Sequence, residues 1–259
     1  MLERALALAL ALTTTTPLAQ NQSAWQRTDS RHFELHYVPA LARDLERVTR
    51  SAERAYDLIS RRLNFTLRTR VPLVMFAPSG ALTREQVVTY AVSDIVAPYH
   101  PHRSRLVLPL PEGDAQLDPL IVHELTHLLV GEIILPQAPG DGGVPRWVHE
   151  GIASYMAGGW SDDHERVVRE LVAAGTVPAL SQLSGSGGFA NPRTNDALGH
   201  VAFDYIASRW GPAGLRRFID GLIIPRVDKT YDAVFELTPT EFDAAFREYA
   251  NRRFRPAAR

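Results

Sequence analysis

From Leu120 to Leu129 the chain is apolar except at His123, Glu124, Thr126 and His127, which hold an H-E-x-x-H pattern. A run this apolar has to be buried. As a helix it places residues four apart on one face, so His123 and His127 project side by side. Two imidazoles so placed can share one tetrahedral metal ion, and Zn²⁺ is the ion that most often takes nitrogen ligands arranged in this way. Glu124, beside the first histidine, is then positioned to take a proton from a water at the metal. The same pattern also arises by chance on core helices that hold no metal, so it needs support from elsewhere in the chain.

A catalytic zinc usually keeps three protein ligands, and two histidines leave it one short. The best candidate for the third is in Pro145-Arg146-Trp147-Val148-His149-Glu150-Gly151-Ile152-Ala153. Pro145 suits the first turn of a helix. Glu150 sits one turn in, and Gly151 and Ala153 are small enough to let two helices approach closely. The segment from Gly131 to Val144, rich in Gly and Pro, is expected to be a loop that turns the chain back. Two helices and a connection would set a carboxylate on the second against the histidines on the first. His149, next to Glu150, is a rival ligand.

These two segments together resemble the gluzincin metallopeptidases, and within them the peptidase MA-like family of bacterial envelope proteins. Trp147-Val148-His149-Glu150-Gly151-Ile152-Ala153 looks like the W-x-x-E-G-x-A element that supplies the third ligand there. The resemblance extends from about His32 to about Phe254 and is concentrated in the two helices. It implies one Zn²⁺ held by His123, His127 and Glu150, with Glu124 as general base. It favours Glu150 over His149, because the Glu-Gly pair belongs to the pattern. His149 stands where related aminopeptidases usually have Asn. No G-x-M-E-N-type element is present, so nothing points to aminopeptidase activity.

The opening residues, Met1 to Gln20, combine one basic residue, an alternating Leu-Ala run and a small residue at Ala19. That fits a secretory signal peptide over 1–19, and so export to a periplasm or exterior. An uncleaved N-terminal anchor is the alternative, but the apolar run is shorter than the roughly 20 residues that span a bilayer. Charge is balanced, with 28 basic against 29 acidic residues, so no basic field invites nucleic acid. Cysteine is absent, which removes disulfides, thiol nucleophiles and thiolate ligands from consideration.

Along the rest of the chain, His32 to Val38 alternates as a half-buried strand, with His32 and His36 expected on a solvated face. Pro39 ends it, and an amphipathic helix is expected from about Ala40 to Leu63, burying Leu41, Leu45, Val48, Ala52, Ala55, Leu58 and Ile59. Val71 to Ala77 and Arg105 to Leu110 read as apolar strands, with Pro72 and Pro109 at strand ends or a sheet edge. By the resemblance, Arg105 to Leu110 is the edge that lines the cleft and pairs with an extended substrate. Tyr99-His100-Pro101-His102 reads as a loop over that cleft rather than a second metal site. Ser161 should cap a helix on which His164 is a surface residue. Gly185-Ser186-Gly187-Gly188 reads as a flexible loop.

A helix beginning near Asn195 resembles the late family helix that offers a donor to the oxyanion of the intermediate. Asp196 lies near the usual Tyr place, His200 one turn later is the candidate donor, and Tyr205 is the fallback. Gly211-Pro212 separates that helix from the next. Thr238-Pro239-Thr240-Glu241 should start a last helix, docking through Phe242, Ala245, Phe246 and Tyr249.

The expected fold is α+β, of the gluzincin (thermolysin-like) kind. A small N-terminal mixed sheet with helices occupies 20–116 and a mainly helical zinc-binding half 117–259, the two forming one domain around a cleft. The expected activity is zinc-dependent hydrolysis of a peptide or protein substrate, with no nucleic-acid partner and no membrane span in the mature chain. Two rivals are a zinc amidohydrolase acting on cell-wall peptide and a non-catalytic envelope binding module that retains the fold. Substrate and oligomeric state are not written in these motifs.

Overall fold

In the computed structural model the residues described are 25–78, 87, 105–111, 113–134, 144–159, 161–183, 191–222 and 227–255. The leader-like segment, the loop holding His100 and His102, and the Gly185–Gly188 loop lie outside them. The alternation from His32 becomes β2 (Phe33–Tyr37), and it pairs antiparallel with β1 (Gln26–Asp29), an exposed polar strand that the sequence pattern did not mark. Two apolar runs follow as β3 (Val71–Phe76) and β4 (Leu106–Pro109), each parallel to its neighbour. The result is a mixed four-stranded sheet in the order β1-β2-β3-β4, and the class is α+β.

Both prolines sit where they cost the ladder little. Val71 N–H donates to His32 on the β2 side, so alternation turns the Pro72 nitrogen toward β4, whose pairing starts one residue later at Leu73↔Leu106. Leu110 N–H donates to Phe76 on β3, so the Pro109 nitrogen faces away from β3. Among the described residues β4 is an edge of the sheet.

Phe33, Leu35, Val71, Leu73 and Met75 line one face of the sheet and join the main core. The other face is not bare. Val74, Phe76 and Val87 form a second cluster there, joined by Trp25 and Val107. This corrects the expectation for the histidines of β2. His36, opposite Val74 on that covered face, is only 7% exposed. His32 is half-buried, its Nδ1 2.5 Å from Glu53 Oε2 and its ring stacked on Tyr56 at 3.9 Å. Alternation reports two faces; it does not report which of them meets water.

A 3-10 turn, Pro39–Asp44, precedes α1 (Leu45–Leu63), so the α-helix proper starts later than the amphipathic pattern implied. Val48, Ala52, Ala55 and Ile59 are buried as their spacing required, and Leu45 and Leu58 flank them partly buried. Next comes α2 (Asp114–Ile134), which carries His123 and His127. It runs past Gly131, where a loop was expected, because the buried stripe Leu125, Leu129 and Ile133 continues beyond it. Burying each such side chain outweighs the roughly 1 kcal/mol that glycine costs in a helix. The start of α2 is tied to α1 by Asp118, which accepts from the Ser51 hydroxyl and, at 2.9 Å, from Arg54 Nη2.

The remaining helices are α3 (Arg146–Met156), α4 (Asp162–Ala173), a single turn α5 (Leu180–Leu183), α6 (Pro192–Gly221), α7 (Val227–Phe235) and α8 (Pro239–Arg253). Ser161 caps α4 as expected, accepting from His164 N–H at 3.0 Å. Asn191 and Pro192 start α6 earlier than Asn195, and Gly211, at φ 64°, breaks it into two helical pieces. Thr238 and Glu241 form a reciprocal capping box at α8, which docks through Phe242 and Phe246, both fully buried. Phe242 stacks on Tyr231 of α7 at 4.3 Å. Apart from the second cluster on the sheet, buried apolar side chains from Phe33 to Phe254 join one main core. Among the described residues no helix is long and apolar enough to cross a membrane.

The closest approach in the helical half is between α3 and α6. A Cβ added to Gly151 would stand 2.5 Å from the Gly199 carbonyl carbon, and one added to Gly199 would stand 2.2 Å from the Trp147 oxygen. Neither backbone atom can give way without moving a helix. Gly199→Ala is therefore expected to destabilise the chain by about 1–3 kcal/mol. Gly159→Ala, where nothing lies within 4 Å, should stay within about 0.5 kcal/mol of the parent. Urea unfolding of the two variants beside the parent checks this.

Candidate metal centre

Helical periodicity does on α2 what the sequence required. The Nε2 atoms of His123 and His127 lie 3.1 Å apart, with their rings edge to face. Glu150, near the middle of α3, brings Oε2 to 3.4 Å from His123 Nε2 and 3.7 Å from His127 Nε2. Zinc bonds of about 2.0–2.1 Å at tetrahedral angles put neighbouring ligand atoms about 3.3 Å apart, and the three spans here bracket that figure. His123, His127 and Glu150 thus form a group that could hold a metal ion, two imidazole nitrogens and a carboxylate oxygen all within 4.8 Å of one another. The side chains are 26%, 28% and 22% exposed, so the group opens to solvent.

The electrostatics favour an ionised Glu150. Contact with His123 first, and His127 next, holds its carboxyl far below the usual carboxylate range, with Arg146 adding in the same direction against the upward push of burial. A carboxylate that stays charged at any ordinary pH is a competent metal ligand without first shedding a proton.

Glu124 follows His123 on α2, half-buried, and contributes no atom to the group of three. His149 is also outside it. The ring of His149 lies 6.5 Å from that of His127, so of the two neighbours on α3 it is Glu150 that meets the histidines.

Three residues of the surroundings carried no signal that sequence reading had used. Arg146 stands one turn before Glu150 and makes a two-pronged pair with Asp196 of α6, Nε to Oδ1 at 3.1 Å and Nη2 to Oδ2 at 3.0 Å. The same Nη2 lies 3.5 Å from Glu150 Oε1. The spacing of Arg146 and Glu150 was visible as an i,i+4 pair; the Asp196 partner, fifty positions away, was not. His164, expected at the surface, is half-buried instead. Burial lowers its pKa, against the opposing pull of the Asp196 and Asp163 charges.

The two residues considered as oxyanion donors are not in the group of three. His200 lies four residues after Asp196, about 6 Å along the axis of α6, is 4% exposed, and meets Tyr155 edge to face. Tyr205 is about 13 Å along that axis from Asp196. Its ring packs against Trp210, Phe242 and Tyr249 at 5.4–5.5 Å.

Comparison of the sequence with known protein families and with curated proteins finds no match to either.

Burial, aided by the positive charges of His164 and Arg253, lowers the His200 pKa from 6.5 to about 4. Between those values the unfolded chain binds a proton at this residue and the folded chain does not, so stability rises with pH there. The contribution is complete above the unfolded value and is lost as pH falls toward the folded one, up to about 3 kcal/mol. His200→Gln should lose less stability than the parent between about pH 7 and about pH 4.5, as read from urea midpoints at the two values.

Proposed function

We propose that this chain is a zinc-dependent metallopeptidase with a gluzincin-like ligand set, His123, His127 and Glu150 holding one Zn²⁺ and Glu124 serving as general base. The observation that supports it most is the triangle of ligand atoms, with sides of 3.1, 3.4 and 3.7 Å, assembled from two helices that are separate in the chain. A chance H-E-x-x-H would have no reason to meet a carboxylate from Glu150. The small N-terminal sheet and the helical half are compatible with a gluzincin fold, and the peptide as substrate class rests on the resemblance of the two helices.

When bound, zinc would lower the pKa of water toward about 7 and polarise a scissile carbonyl. The protein side of the reaction falls to Glu124. Its carboxylate accepts a proton from water as the oxygen adds to the carbonyl carbon, then passes that proton to the departing amine nitrogen. Glu150, whose carboxyl is kept ionised by His123, His127 and Arg146, is assigned the part of ligand. His200 is too buried to meet a substrate without local movement, so no step is assigned to it. An extended peptide would pair along β4, an edge of the sheet among the described residues, where Val107 turns both N–H and C=O away from β3 and Pro109 only its C=O.

Metal analysis of the purified chain tests the ligand set. About one equivalent of zinc is expected, lost in Glu150→Ala and kept in His149→Ala. Glu124→Gln should keep its zinc while hydrolysing a broad peptide library about 10²- to 10⁴-fold more slowly. A chain that takes up no zinc, or a parent as inactive as Glu124→Gln, would defeat the proposal.

A further inference from the structure

We infer that Arg146 and Asp196 form a clamp that keeps Glu150 a one-oxygen ligand, a role resting on the metal centre proposed above. The two oxygens of Glu150 face different partners. Oε2 points at the pair of histidine nitrogens, while Oε1 lies 3.5 Å from Arg146 Nη2. A carboxylate with both oxygens available can chelate an ion through both, which adds a ligand and leaves less room for water. Here the second oxygen is already opposite a cation.

That cation is not loose. Arg146 is 51% exposed, and a long side chain at a surface ordinarily wanders among rotamers. Its fork, however, is spent on Asp196 in two parallel bonds of 3.1 and 3.0 Å, the geometry that fixes a guanidinium plane most firmly. Asp196 in turn is set by α6, whose Gly199 lies against Gly151 of α3, the residue after Glu150. Arg146 is thus aimed from two directions, by its place one turn before Glu150 and by a carboxylate across the helix crossing. Lysine could not replace it, because one ammonium cannot serve Asp196 in two-pronged fashion and still reach Glu150.

Arg146 and Asp196 are positioning residues; neither offers an atom to the group of three. Partners that orient a ligand in this way typically change metal affinity about 10- to 100-fold when removed. The test uses the purified chain with Zn²⁺ and with Co²⁺ as probes. In Arg146→Lys the charge stays and the fork goes. In Asp196→Asn the fork is released to pair with Glu150 itself and draw it from the metal. Both variants should bind zinc about 10- to 100-fold more weakly in chelator competition. Arg146→Lys, which frees Oε1 to chelate, should also show a weaker visible absorption with Co²⁺, as four-coordinate geometry gives way to five. Asp196→Asn should show a Co²⁺ spectrum altered by loss of the Glu150 carboxylate.

Each substitution retains a polar side chain of similar length, and circular dichroism of the metal-free forms controls for folding. Zinc affinity and Co²⁺ spectra equal to the parent's in both variants would overturn the clamp while leaving the metal centre standing. A parent that binds neither ion would overturn both.

Discussion

Where α3 crosses α6, Gly151 and Gly199 meet backbone to backbone, and the placement of every important group on the far side of the metal centre follows from that contact. Glu150 is the residue before one glycine, and Asp196 stands three residues before the other. A Cβ at either glycine would stand only 2.5 or 2.2 Å from backbone of the facing helix, so the helices would have to move apart. The spans among the ligand atoms, 3.1 to 3.7 Å, have little such tolerance, since a competent site must be held within about 0.5 Å. The Arg146–Asp196 pair depends on the same distance. Small residues here are a condition of the three-residue group, reached through packing.

The other side of the centre is secured independently. The helix that carries His123 and His127 is pinned near its start by Asp118 to Ser51 and Arg54 of α1, and along its length by Leu117, Ile121, Leu125 and Leu129 in the core. Within it, the Thr126 hydroxyl donates to Val122 O at 2.6 Å, so the one polar side chain buried between the histidines is satisfied by its own helix. Histidines and carboxylate therefore stand on two separately anchored supports. Their convergence is a property of the fold rather than of a flexible loop.

Much of this was legible because it is local. The i,i+4 histidines, the Ser161 cap, the Thr238–Glu241 capping box and the break at Gly211-Pro212 each depend on a few adjacent residues whose chemistry allows one conformation. Glu150 was legible for a different reason, through a pattern of neighbours. What was not legible is what depends on distant surfaces. Nothing in His36 or its neighbours says that Val74, Phe76 and Val87 cluster on its face of the sheet. Nothing near His164 says that its side chain is half-buried. Gly131 carries a strong local signal for a loop, and it was overruled by apolar residues on either side that could be buried only if the helix went on.

Charge explains why such a centre can be open to solvent and still be ordered. Glu150 lies between two imidazoles on one side and a guanidinium on the other, so its carboxylate has a favourable partner for each oxygen. A metal held by the three residues would meet Glu150 on its imidazole side. Arg146 would remain on Oε1, with Asp196 behind it, and Asp196 would keep the guanidinium from competing for Oε2. A lone arginine four residues before a ligand would be a rival for that ligand. An arginine already committed to an aspartate on another helix becomes its support.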